Sequence, residues 1–210
     1  NLPDHLYPKL LMGNHDDRQI FKSHFTITQT DKNGFVQYDI EIEDKRFLFL
    51  DTVQKNSHAG HYCDKRQSWL ENKLDESLKK SQNVFLFMHH NPFPLVQLES
   101  DLIGLLDRDR FRSIIENYKN IIKHIFFGHQ HITVSGNYVG IPFSSPRSIN
   151  HPLVPNFSNE YRLGSANTEP SYNIALINND SLIIHNEDFL KVKINWFETT
   201  KSGWIEESDN

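Results

Sequence analysis

A chain of 210 residues with 37% hydrophobic and 23% charged positions can build one domain with a sizeable core and is too apolar for a disordered segment. The formal net charge of −5, without any basic cluster, argues against a nucleic-acid partner. Cys63 is the single cysteine, which excludes an intrachain disulfide, and no apolar run reaches the roughly 20 residues of a membrane span or forms a secretory segment, so a cytoplasmic enzyme is the default expectation.

Two prolines in residues 1–9 block a helix there, and Leu10-Leu11-Met12 reads as a short strand ending at Gly13-Asn14-His15-Asp16. Ile20, Phe21 and Phe25 suit a short helix from Asp17 to Phe25. After the turn-forming Asn33-Gly34, alternation of Val36, Tyr38, Ile40 and Ile42 with polar residues predicts a strand with one wet face. Phe47-Leu48-Phe49-Leu50 predicts a strand buried on both faces and ending at Asp51-Thr52.

Asp64 followed by Gln67 predicts a capped helix with Trp69, Leu70, Leu74 and Leu78 as its buried stripe. Val84 to Met88 is a further buried strand that delivers His89, and residues 91–104 read as a proline-containing loop. Phe111, Ile114, Ile115 and Tyr118 mark a second helix, and Ile121 to Phe127 a strand that delivers Gly128-His129-Gln130-His131. Short strands are expected at Tyr138–Phe143, Tyr172–Ile177 and Leu182–His185, then an aromatic tail with Trp196, Phe197 and Trp204. Strands alternating with helices predict an α/β layered fold whose site lies at the carboxyl edge of the sheet. The expected division is one domain over residues 1–187 and a C-terminal arm or cap over 188–210.

Three polar turns, each at the end of a buried strand, make a candidate site. Asn14 offers an amide oxygen, and His89, His129 and His131 offer imidazoles, a mixed set that suits Mn, Fe or Zn better than Ca or Mg. Two imidazoles at His129-x-His131 can reach different metals, and a metal pair can bind a phosphate, activate a bridging hydroxide and stabilise the leaving oxygen. In that scheme His15 contacts the phosphate and protonates the leaving alkoxide, oriented by Asp16. A lone histidine at a strand end is more often a polar cap than a ligand, and that reading is kept for His5, His24, His58, His61, His124 and His185. Cys63 reads as an inert small residue.

At these residues the sequence resembles the calcineurin-like metallophosphoesterase superfamily, through Gly-Asn-His-Asp at 13–16, His89 and Gly-His-x-His at 128–131, in that order. Within it the chain is similar to bacterial class III cyclic-nucleotide phosphodiesterases and the related glycerophosphodiesterases, through Phe49-Leu50-Asp51-Thr52, Gln67-Ser68-Trp69-Leu70 and His89-His90-Asn91-Pro92. The resemblance implies a four-layer αββα sandwich, two divalent metals, and hydrolysis of a small phosphodiester such as 3′,5′-cyclic AMP. It implies Asn14, His89 and His129 on one metal, His131 on the other, His15 as the acid, and His151 and His90 near the substrate. Homodimers or larger assemblies through the C-terminal extension are also implied. The superfamily's Asp-x-His and Gly-Asp motifs are absent from these residues. The sandwich is therefore expected to be N-terminally truncated, to hold one weak metal site or none, and to be inactive alone. The alternatives are a glycerophosphodiesterase or broad phosphomonoesterase, and a metal-free binding module of the same fold.

Overall fold

A computed structural model describes residues 7–96, 98–158 and 160–189. Its main sheet has six strands: β1 (Tyr38–Ile42), β2 (Lys45–Leu50), β3 (Asn83–Met88), β4 (Ile122–Phe126), β5 (Val134–Tyr138) and β6 (Ile141–Ser145), in the order β1-β2-β3-β4-β6-β5. β2, β3, β4 and β6 run parallel, and antiparallel β1 and β5 close the two edges. The helices are α1 (Arg18–His24), α2 (Asp64–Lys79), α3 (Leu98–Ile103) and α4 (Arg108–Asn117). Two small hairpins, β7/β8 (Leu153–Val154, Gly164–Ser165) and β9/β10 (Ser171–Ile177, Leu182–Asp188), complete the described residues. The α/β class matches the expectation. The second sheet of the expected sandwich is represented, among the described residues, by β9/β10. From residue 190 on, the expected arm and its tryptophans lie outside the described residues.

The period-two side-chain alternation of a strand sorts the central strands onto two different surfaces. Leu48, Leu50, Val84, Leu86 and Ile125 join Leu70 and Leu74 of α2 and Phe111, Ile114 and Ile115 of α4 in one buried cluster. The other face carries an aromatic ladder, Tyr38–Phe49–Phe87–Phe126, with successive ring centroids 4.7, 4.9 and 4.7 Å apart. Those spacings are the distance between neighbouring strands, so in-register pairing stacks the rings without further adjustment. β9/β10 lies over part of that face: a cavity of about 680 Å³ is bounded by His124 and Ser144 on one side and by Leu182 and Ile184 on the other.

Several local expectations are corrected. The helix after Cys63 is not opened by a capping box: Cys63 is its N-cap, and Gln67 Nε2 donates to the Tyr62 carbonyl. Leu78 is exposed, not part of the buried stripe. Gln37, expected on a wet face, is fully buried, donating to Asp31 and accepting from the Tyr62 hydroxyl. α3 interrupts the loop expected over 91–104. The strand expected at Tyr138–Phe143 straddles the β5/β6 turn, where Val139 and Gly140 both have positive φ (50° and 93°). Such a two-residue turn favours Asn-Gly, and a β-branched residue there hides it from sequence reading; the Asn137 side chain supports it by accepting from Gly140 N–H.

One buried carboxylate ties the helices to the sheet. Asp51, at the end of β2 and wholly buried, accepts from Arg18 Nε at 2.6 Å and Nη2 at 2.8 Å, and from the Val36 and Val53 amides at 3.0 Å each. Arg66 of α2 reaches the Asp51 carbonyl at 2.6 Å, and both guanidiniums lie over the Phe35 ring. Removing one partner of such a buried ionic group costs about 3–5 kcal/mol, because the remaining charge stays desolvated. Asp51→Ala is therefore expected to lower unfolding free energy by that amount in urea titrations, and a loss under 1 kcal/mol would show that the cluster is not structural.

Candidate metal and phosphate site

The carboxyl ends of β3 and β4 deliver His89 and the 128–131 turn, and the Gly13–Asp16 turn, preceded by no strand among the described residues, comes up beside them. In the Gly13–Asp16 turn, Asp16 N–H donates to the Gly13 carbonyl at 3.1 Å and the Asp16 carboxylate accepts from Gly13 N–H at 2.8 Å. Asp16 was expected to orient His15; it closes the turn instead. A Cβ on Gly13 would stand 3.0 Å from the His89 ring, so glycine lets the turn approach that imidazole. Asp17 then caps α1, accepting from Gln19 and Ile20 N–H.

Asn14, His89 and His129 converge. Asn14 Oδ1 lies 2.9 Å from His89 Nε2, which lies 3.2 Å from His129 Nδ1. Metal–nitrogen bonds of about 2.1 Å place neighbouring ligand atoms roughly 3.0–3.4 Å apart, so these separations suit a single cation. Tautomers agree: His129 Nε2–H donates to the Ile103 carbonyl at 3.0 Å, which leaves Nδ1 bare and aimed inward. His129 and His131 both take left-handed backbone conformations, with φ of 69° and 56°, a shape histidine tolerates better than most residues. His131 turns its Nδ1–H to the His151 carbonyl at 2.9 Å, leaving its Nε2 without a hydrogen-bond partner among the described residues, and the two rings stand 4.1 Å apart. His15 is exposed and lines a cavity of about 470 Å³ with Asn14, Arg18 and Lys55.

Burial holds these imidazoles neutral. His89 is pushed well below its ordinary value by burial and then by repulsion from His129, His90, His131 and His15. Burial, with His90 nearby, lowers His129 to about 3, and burial also lowers His131. Neutral imidazoles are the form that binds a cation.

His89, His90 and His129 present ring nitrogens within 4.8 Å of one another. His90 is nevertheless committed elsewhere: Nε2–H donates to the His58 carbonyl at 3.1 Å, and Nδ1 accepts from the Thr52 hydroxyl at 2.7 Å. Expected at the substrate, His90 is instead wholly buried behind His89. His58, which sequence reading set aside, stands within 3.0 Å of Asn14 Nδ2 and edge-to-face with His15 at 5.4 Å. No local signal marked it, since it lies within the loop between β2 and α2 and not at a strand end.

Residues 2–133 match the profile of the calcineurin-like phosphoesterases. The chain belongs to the calcineurin-like phosphoesterase family. It is 31% identical over 183 residues to a probable cyclic nucleotide phosphodiesterase of Rhodopseudomonas palustris, covering 86% of this chain and 66% of that protein. It is also 31% identical over 131 residues to the glycerophosphodiester phosphodiesterase GpdQ of Enterobacter lignolyticus, covering 60% of this chain and 45% of GpdQ. The chain thus spans less than two thirds of either relative. A solved dimetal phosphatase of Danio rerio superposes with a TM-score of 0.56 at 17% identity, over 66% of this chain and 60% of its own, which shows a common fold and no more. No helix among the described residues is long and apolar enough to cross a membrane.

The loop behind the site depends on Gly60, where a Cβ would stand 2.6 Å from His90 Cγ. Gly60→Ala is expected to force His90 and its loop apart and to cost about 1–3 kcal/mol in urea unfolding, as overpacking does. Unchanged stability would mean that the loop does not close on His90.

Proposed function

We propose that this calcineurin-like phosphoesterase hydrolyses a small phosphodiester, with a 3′,5′-cyclic nucleotide as the leading substrate. The observation that carries the reading is the convergence of Asn14 Oδ1, His89 Nε2 and His129 Nδ1 beside an exposed His15. Asn14, His89 and His129 would hold one divalent cation (Mn, Fe or Zn), and His131, through its Nε2, would contribute to a second. A cation bound there supplies positive charge that polarises a phosphoryl oxygen and acidifies a water. The chain's own groups do the rest. His15 meets the phosphate from the cavity side and passes its ring proton to the leaving oxygen as the P–O bond breaks, so that no free alkoxide has to form. His151 carries a different role: its carbonyl fixes the His131 tautomer. The alignment with GpdQ, at the same 31% identity, favours a glycerophosphodiester as the competing substrate.

The donors are all neutral, so the three alone hold a cation weakly and the 210 residues assayed by themselves are expected to turn over little. The test uses the full-length natural gene product, with Mn²⁺ and either 3′,5′-cyclic AMP or a glycerophosphodiester. Chelation is expected to abolish turnover, and His15→Ala to lower kcat by about 10²–10⁴-fold while Mn²⁺ affinity is kept. Hydrolysis of neither substrate, or an unchanged kcat in His15→Ala, would overturn the reading.

A further inference from the structure

A chain of hydrogen bonds runs from the Ile103 carbonyl to His58. That carbonyl can only accept, so His129 Nε2 carries the proton facing it and His129 Nδ1 is bare. Without a cation, His89 Nε2, 3.2 Å from that bare nitrogen, is then the donor between them; a cation at the site would take the Nε2 lone pair, with the ring proton on Nδ1. The Asn14 atom 2.9 Å from His89 Nε2 must accordingly be the oxygen, and the amide nitrogen must face His58 Nδ1 at 3.0 Å. An asparagine amide is nearly symmetric in shape, so packing alone does not decide which end faces the histidines. A cation does discriminate, because only Oδ1 has lone pairs to give.

We propose that His58 is a positioning residue: its bare Nδ1 holds the Asn14 amide nitrogen so that Oδ1 faces His89 and His129. The inference rests on the metal-site reading of those three residues. His58 is itself held in place. Its carbonyl accepts from His90 Nε2–H, His90 Nδ1 accepts from Thr52 at the end of β2, and the missing side chain of Gly60 leaves room for the His90 ring. The buried His90 thus serves the site by placing a loop. It also places His58 next to His15, where a single exposed ring touches both the amide and the proposed acid.

The experiment is Mn²⁺ binding, followed by calorimetry and by electron paramagnetic resonance, with the Asn14 side-chain amide monitored by nitrogen-15 NMR. Loss of a group that orients a ligand weakens metal binding by about 10–100-fold, and His58→Ala is expected to fall in that range and to shift the Asn14 amide signal. His58→Asn, whose Oδ1 stands where the histidine Nδ1 stood, is expected to restore most of the affinity, which a merely structural role would not do. His58 is exposed, so neither variant removes a core residue. Wild-type Mn²⁺ affinity in His58→Ala would overturn the proposal while leaving the metal site intact. A wild-type chain that binds no Mn²⁺ would overturn the metal-site reading and this assignment with it.

Discussion

The charge on Asp51 is the constraint around which the site is assembled. A carboxylate with no solvent exposure survives only if its lone pairs are filled, and Asp51 fills them with Arg18 and two backbone amides, while Arg66 braces its backbone carbonyl. Each donor comes from a different part of the chain. Arg18 opens α1 directly after the Gly13–Asp16 turn, Arg66 lies in α2, and Val36 precedes β1. The carboxylate therefore fixes where the Asn14 turn sits relative to the ends of β2 and β3. Such buried ionic groups contribute little net stability over an apolar replacement. What this one contributes is position, because an apolar contact could slide and a bidentate ion pair cannot.

A second constraint is steric, and it works from behind the donors. Gly60 admits the His90 ring, and a Cβ on Gly104 would stand 2.7 Å from Asn91 Nδ2, so both loops close directly onto the segment after β3. Asn91 Oδ1 then accepts from Gln130 Nε2 at 2.5 Å, which joins that segment to the turn holding His129 and His131. The left-handed backbone of those two histidines carries strain on the order of 1–3 kcal/mol per residue, and strain of that size persists only where neighbours over-determine it. The interlocked loops supply that over-determination. Geometry at the donors is thus inherited from contacts among residues that are not donors.

Sequence reading reached the parts of this arrangement whose signal is local. Buried strands announce themselves by apolar runs, and the polar residue that ends each run lies at the sheet's carboxyl edge by construction. His89 and His129 could be expected to meet for that reason, whereas Leu10-Leu11-Met12, expected as a strand, pairs with no strand among the described residues, and Asn14 reaches the histidines because Gly13 lets its turn approach the His89 ring. What escaped was non-local. Asp51 looked like an ordinary strand end, since nothing within a few residues reveals that Arg18 and Arg66 fold back on it. His90 lies beside His89 and its ring packs 4.6 Å from that of His129, yet both its nitrogens are taken by Thr52 and the His58 carbonyl, partners that no neighbouring residue in the sequence announces. Asp16 was assigned to its neighbour His15, although the Gly13 amide is the nearer partner once the turn closes. The β5/β6 turn was missed because Val139 adopts a conformation its side chain disfavours, and α3 because prolines at 92 and 94 made the whole segment read as loop.

The neutrality of the histidine cluster bears on the order of events at the site. Burial disfavours the protonated imidazoles, and repulsion among rings in near contact adds to it, so the cluster stays uncharged at neutral pH. On the reading proposed here, a cation entering the cluster finds good lone pairs and no opposite charge. Its desolvation is then only partly offset, and an anionic oxygen is needed to complete the balance. A phosphodiester carries such an oxygen. Cation and substrate would therefore reinforce each other's binding, by the same factor in both directions, as linkage requires. Any protein carboxylate that joins the donors would weaken this coupling, since the charge it contributes no longer has to come from the substrate.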